Sequence, residues 1–151
     1  MRIGFDGMTI CDSHGGRGAG IEHYTWSILF YLATLAPQHK FFVTVPAHFS
    51  NKSRSLFSSH CPNIHFLSPV LPKIPLISRH LISPMHLLSK RVDVLFSPSG
   101  QLPLAWRKKS VITIHDVSIF SHPEWFPDQS TKEFSTGVVV PQSLKQATKI
   151  I

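Results

Sequence analysis

Two runs, Val92 to Phe96 and Val111 to Ile114, constrain this chain more than any other feature. The first is broken only by Asp93 and the second only by Thr113, so neither shows the strict alternation of a strand with one wet face. Runs of this kind belong to central strands buried on both sides, in a parallel sheet covered by helices. The rest of the chain supplies the other parts. Arg2 to Asp6 and Phe41 to Val45 read as two more strands, and Ile64 to Leu67 as an edge strand. Ile21, Tyr24, Ile28, Leu32 and Leu35 recur at three- and four-residue intervals, which predicts a helix that packs this stripe on the sheet until Pro37 ends it. Strands alternating with helices predict an α/β fold with a mainly parallel sheet.

The chain has 151 residues, 42% hydrophobic and 15% charged, a balance that excludes disorder and predicts one domain. At this length folding buries roughly 68–70% of the unfolded surface, so a core forms without staples. Cys11 and Cys61, the only cysteines, sit in no metal-ligand or redox spacing. A reducing cytoplasm is the expected compartment. The opening Met1-Arg2-Ile3-Gly4-Phe5-Asp6 lacks the apolar core of a signal peptide, and no run of 18 apolar residues predicts a spanning helix.

Between residues 46 and 110 lie eight of the twelve prolines, so regular elements there must be short. Leu76 to Lys90 carries Leu76, Ile77, Leu81, Met85 and Leu88 among Arg79, His80, His86, Lys90 and Arg91, the pattern of a basic amphipathic helix interrupted near Pro84. From Ser130 to Thr148 a stripe of Phe134, Val138, Leu144 and Ala147 surrounds Pro141, which is expected to kink its helix. Lys149-Ile150-Ile151 reads as the start of a further strand.

Three polar loops follow the strands. Gly15-Gly16-Arg17-Gly18-Ala19-Gly20 lies between the first strand and the first helix; its backbone N–H groups at Gly16, Gly18 and Gly20, with the charge of Arg17, can cradle a phosphate or diphosphate, or form a plain loop and cap. Ser97-Pro98-Ser99-Gly100 follows the fourth strand, where Ser97 and Ser99 either line a pocket or make a tight turn. His115-Asp116 follows the fifth. Ligands of open α/β sheets collect at the carboxyl ends of strands, so all three loops are expected to face one crevice. There His115 can hydrogen-bond a hydroxyl or stabilise developing charge, and Asp116 can orient a hydroxyl or cap the next turn. His122-Pro123-Glu124-Trp125-Phe126-Pro127 joins aromatic surface to a carboxylate: Glu124 and Trp125 suit a sugar ring, or Trp125 and Phe126 anchor the loop to the core.

The order of these segments resembles the N-terminal half of family 4 glycosyltransferases, two-domain enzymes of the GT-B architecture. The resemblance rests on Met1-Arg2-Ile3-Gly4-Phe5-Asp6; on Gly18-Ala19-Gly20-Ile21-Glu22-His23-Tyr24-Thr25; on Asp93-Val94-Leu95-Phe96-Ser97-Pro98; and on Ile114-His115-Asp116-Val117-Ser118 with His122-Pro123-Glu124-Trp125-Phe126-Pro127. Asp12-Ser13-His14-Gly15 departs from the simplest family pattern. The resemblance implies one Rossmann-like domain over residues 1–151 that ends before its last elements, without the C-terminal donor-binding domain. It further implies retaining transfer from a nucleotide-sugar donor, of a mannosyl or other hexosyl group, to a polysaccharide or lipid-linked glycan, with no obligatory metal. In that scheme this half holds the acceptor, His115 and Asp116 act at the reacting centre, and a separate domain completes the donor site. The other expectation is a non-catalytic remnant, or a module with the same half-fold that binds glycan or an anionic surface.

Charge adds a second partner. Residues 38 to 110 carry ten basic side chains against one acid, Asp93, a net +9 within a chain of +7. Arg79, Lys90, Arg91 and Arg107-Lys108-Lys109 can draw the protein to anionic lipid at a membrane's inner face, or form a solvated basic surface. Nucleic acid is not expected, because no stacking aromatic series interleaves these residues.

Overall fold

The computed structural model describes residues 1–10, 20–46, 49–67, 75–125 and 134–151. Six parallel strands form one sheet: β1 (Arg2–Asp6), β2 (Lys40–Thr44), β3 (Ile64–Leu67), β4 (Val94–Ser97), β5 (Ser110–Ile112) and β6 (Lys149–Ile150), in the order β3-β2-β1-β4-β5-β6. This is the doubly wound, Rossmann-like order, and the strand sequence reverses direction between β1 and β4. β3 lies at the edge as expected. Val92, expected to open the fourth strand, is fully buried but precedes the ladder, which begins with Val94 opposite Ile3.

Successive side chains of each strand feed opposite core layers. Phe5, Phe41, Val43 and Phe96 meet α1 (Gly20–Leu35) and α2 (Asn51–His60) through Trp26, Leu29, Ala33 and Phe57. Phe42, Leu95 and Ile112 join Leu87, Val92, Leu102 and Trp106 on the other face. α1 buries Thr25, Trp26, Leu29 and Ala33 most deeply; of the predicted stripe, Ile28 and Leu32 pack partly buried against the same core, Tyr24 is half-buried and Leu35 is 80% exposed.

The second layer contains α3 (Pro75–Ile77), which passes through a π turn (Ser78–Ile82) into α4 (Ser83–Ser89). The turn is how the chain accommodates Pro84. The Ser83 N–H reaches back five residues to the Ser78 carbonyl, and the His80 carbonyl, which Pro84 has no N–H to satisfy, accepts from the Ala105 N–H at 3.2 Å instead. A second π turn (Ser135–Val139) precedes α6 (Val140–Gln146) and Pro141 in the same way. Between β5 and this segment lie α5 (Ser118–Ser121) and a 3₁₀ turn (Pro123–Trp125). Among the described residues no helix is long and apolar enough to cross a membrane.

Candidate functional site

The loops at the carboxyl ends of β4 and β5, with Ile21 of α1 and the segment Ser135 to Leu144, enclose a cleft of about 250 Å³. His115 lies on its wall, three residues past β5. Its Nε2 is 2.8 Å from the Pro98 carbonyl oxygen, which can only accept, so Nε2 carries the hydrogen. In that tautomer Nδ1 is the ring's acceptor. Tyr24 of α1 packs against the imidazole nearly at right angles (84°, centroids 4.7 Å apart), and its hydroxyl lies 3.1 Å from Thr113 Oγ1. The ring is thus held by a loop carbonyl and an aromatic neighbour while the residue stays exposed.

The rest of the wall mixes hydroxyl, amide and apolar groups. Ser99, Gln101, Thr113 and Ser135 supply the polar atoms, with Gln101 Nε2 donating to Ser135 Oγ at 2.6 Å; Ile21 and Phe120 supply apolar surface. Gly100 closes the turn after β4. Its φ of +71° belongs to the left-handed region, and a Cβ there would stand 2.8 Å from Ile114 Cδ1 and 3.2 Å from the Thr113 carbonyl. Only glycine lets this loop lie so close to the end of β5.

Asp116 also lines the cleft, but its Oδ1 accepts from the Ser118 N–H at 2.9 Å and the Ser118 hydroxyl at 2.6 Å. This is a side-chain turn at the start of α5. The two Ser118 bonds, hydroxyl first, hold the Asp116 carboxyl below the usual carboxylate range, with a smaller contribution from His115. Of the two roles read from the sequence, capping is the one its geometry fills.

Behind the cleft, at the point where the strand order reverses, lies a buried charge pair. Asp6, 3% exposed at the end of β1, receives a guanidinium N–H of Arg79 at Oδ2 (3.2 Å) and the Met8 N–H at Oδ1 (3.2 Å). The same Arg79 Nη2 lies 3.3 Å from Ser99 Oγ. Arg79 therefore faces inward and is not part of the exposed basic surface to which its sequence neighbourhood assigned it. Ser97 is fully buried, its hydroxyl donating to the Gln101 carbonyl at 2.8 Å, with Asp6 Oδ2 at 3.4 Å. It braces the loop and does not reach the cleft, whereas Ser99 does.

Of the glycine loop, Gly16, Arg17 and Gly18 lie outside the described residues. Gly20 opens α1 in open space, and the adjacent Ile21 reaches the cleft. Glu124 and Trp125 stand outside that cleft: Glu124 Oε1 accepts from His122 Nδ1 at 3.0 Å when that nitrogen is protonated, and Trp125 stacks on the His122 ring 4.1 Å away at 8°. With 63% exposure Trp125 does not anchor its segment to the core. Among the described residues no three His, Cys, Asp or Glu side chains gather as a metal-ligand set.

Tyr24, Gln101, Ser135 and Asp6 are residues of this region that the sequence did not single out for a site, and Arg79 is expected from sequence only in the basic surface. For Asp6 a signal existed, a carboxylate closing an apolar strand at the carboxyl end of the sheet. Tyr24 and Ser135 come to the site only through packing. Comparison with family models, with curated proteins and with solved structures gives no match, so the functional reading rests on the geometry of the site and on the motifs quoted above.

Proposed function

We propose that the cleft beyond β5 binds the acceptor sugar of a retaining, nucleotide-sugar-dependent glycosyltransferase of the GT-B type, with this chain forming the acceptor half. The observation that carries the reading is the hydrogen bond from His115 Nε2 to the Pro98 carbonyl. With Nε2 committed to Pro98, Nδ1 remains as a lone-pair acceptor, which suits a donor hydroxyl of a sugar. Around it the wall offers Ser99, Gln101 and Ser135 for other hydroxyls and the Phe120 ring for an apolar sugar face. A volume of about 250 Å³ is at the small end of small-molecule sites and fits one sugar residue of a longer glycan. The exposed pair of Trp125 and Glu124 offers a separate surface for further residues of the same glycan.

In this reading the donor and the acidic groups that contact it belong to a separate domain. A specific observation also favours binding without turnover: Asp116, the carboxylate beside His115, is committed to Ser118. Calorimetric titration separates the two readings. With the acceptor function, oligosaccharides bind and nucleotide sugars do not, and His115→Ala weakens glycan binding by between about two- and tenfold, the worth of one hydrogen bond. Completing the protein with a donor domain then yields transfer that the same substitution reduces. Glycan binding that survives with no transfer in the completed protein supports the binding module. Glycan affinity indifferent to His115 refutes both.

A further inference from the structure

The helical run from Pro75 to Ser89 is inside out. Its buried residues are Ser78, His80, Ser83, Pro84 and Leu87, and the Ser83 hydroxyl donates to the Ser78 carbonyl within the protein. Its outward ridge is Leu76 (54% exposed), Ile77, Leu81 (51%), Met85 (67%) and Leu88, with no charged side chain among the five. An outer helix face normally carries the polar residues. Here the ridge extends over about 18 Å at the usual helical rise.

The same helix runs into a basic corner. Lys90 and Arg91 follow its last turn, and the Lys108 ammonium donates to the Val92 carbonyl at 3.1 Å, which places Arg107, Lys108 and Lys109 beside them. The side-chain hydrogen bonds of Arg107 and Lys108 go to neutral groups, carbonyls and the Gln146 amide, and neither side chain forms an ion pair among the described residues. The one acid at this corner, Asp93, accepts from the Arg2 backbone N–H.

We propose that this ridge and corner are a membrane-docking surface: the five apolar side chains enter the headgroup–acyl boundary of an anionic bilayer, and Lys90, Arg91 and Arg107 to Lys109 meet its phosphates. Two properties favour lipid over a protein partner. The ridge is one helical run of flexible unringed side chains, without the Trp, Tyr or Arg anchors that concentrate binding energy between proteins. The adjoining charge is strongly positive in balance, five basic side chains against Asp93, which complements an anionic leaflet and would repel a second copy of the same corner. The surface is separate from the sugar cleft and does not depend on the function proposed for it.

Co-sedimentation with vesicles of phosphatidylcholine alone and of equimolar phosphatidylcholine and phosphatidylglycerol tests the surface, with analytical ultracentrifugation of the free protein alongside. The protein is expected to bind the anionic vesicles at least tenfold more tightly. Lys90→Ala with Lys109→Ala is expected to weaken that binding by about thirtyfold, near fivefold per charge. Leu81→Ser with Met85→Ser is expected to weaken it at least tenfold with an unchanged melting temperature, because both residues are more than half exposed. Failure to bind anionic vesicles overturns the proposal, as does binding that is indifferent to the ridge substitutions. Self-association abolished by those substitutions, without vesicle binding, assigns the ridge to a protein interface instead.

Discussion

Replacing Arg79 by Met leaves the Asp6 carboxylate buried at 3% exposure, with the Met8 N–H at 3.2 Å and the Ser97 hydroxyl at 3.4 Å as its remaining partners among the described residues. The Ser97 proton is already committed to the nearer Gln101 carbonyl, so one backbone amide has to carry a charge that a guanidinium shared. Removing one member of a buried ion pair costs about 3–5 kcal/mol. Arg79 is 21% exposed, which places the expected loss near the lower bound, about 3 kcal/mol. For a domain of this size that lowers the melting temperature by about 6–12 °C. Asp6→Asn combined with Arg79→Met removes both charges and is expected to recover most of the loss, giving a coupling of about 2 kcal/mol in a double-mutant cycle measured by urea unfolding. The pair also reaches the site. Arg79 holds Ser99, and the loop containing Ser99 presents the Pro98 carbonyl to His115, so the single variant should shift the His115 ring resonances while Asp6→Asn/Arg79→Met shifts them less. A loss below about 1 kcal/mol for Arg79→Met, in the range of exposed pairs, would refute the claim that a buried pair organises this end of the sheet.

Three further outcomes follow from the same geometry. Ser118→Ala removes the stronger of the two bonds that lower the Asp116 carboxyl, so carbon-detected NMR titration should find its pKa raised toward the ordinary aspartate value. His80, buried and accepting from the Leu104 N–H, titrates below the ordinary imidazole value because burial and then Arg79 disfavour its charged form, against a smaller opposing effect of Asp6. The unfolded chain therefore binds the extra proton first: His80's share of stability is complete above about pH 6.5 and falls away as the solution is acidified below it. Thermal denaturation should record that decline, and His80→Asn should flatten it. Arg91 has a φ of 53°, the left-handed geometry that follows the last turn of α4, so Arg91→Gly should raise the unfolding free energy by about 1 kcal/mol in urea titration.

How much of this is legible in the sequence depends on how local the cause is. The sheet is legible because the runs near Leu95 and Ile112 are buried on both faces, and a strand with no wet face leaves few architectures open. The position of His115 is legible for a similar reason: a strand end followed by a polar residue places that residue at the crevice. The stripe of α1 is legible only in part, with Ile28 and Leu32 at the margin of the core, because two arcs of the helix satisfy the same spacing. Ile21, Tyr24, Ile28 and Leu32 outnumber Trp26, Leu29 and Ala33 in bulky residues, yet the second arc faces the sheet, where Thr25 and Ala33 allow close approach. Tyr24, freed from the core, is then available to hold His115. Such a contact joins residues 91 apart in sequence, and no local pattern encodes it. The basic helix shows another limit of the same signal. Its apolar residues are periodic, but periodicity alone does not say whether the periodic face meets the core or the solvent.

What settles the orientation of that helix is the proline. A regular helix through Pro84 would leave the His80 carbonyl unpaired and press the ring against it. The π turn over Ser78–Ile82 inserts one extra residue into the helical repeat, which rotates every later side chain by about 100° relative to those before it. That rotation lets Arg79 and His80 point inward, to Asp6 and the Leu104 N–H, while Leu81, one turn beyond Ile77, continues the outward line from Ile77 to Met85. The segment before Pro141 repeats the device with Ser135, whose carbonyl accepts the Val140 N–H and whose hydroxyl stands in the cleft. In both places a residue type that forbids regular helix has its cost met by a widened turn, and the widened turn is what delivers a polar side chain to the site. The inward face of the first helix and its outward ridge are therefore products of one backbone feature, but they are separable by experiment. Substitutions at Leu81 and Met85 touch neither the buried charge pair nor His115, so they should leave the cleft unaltered while they weaken docking.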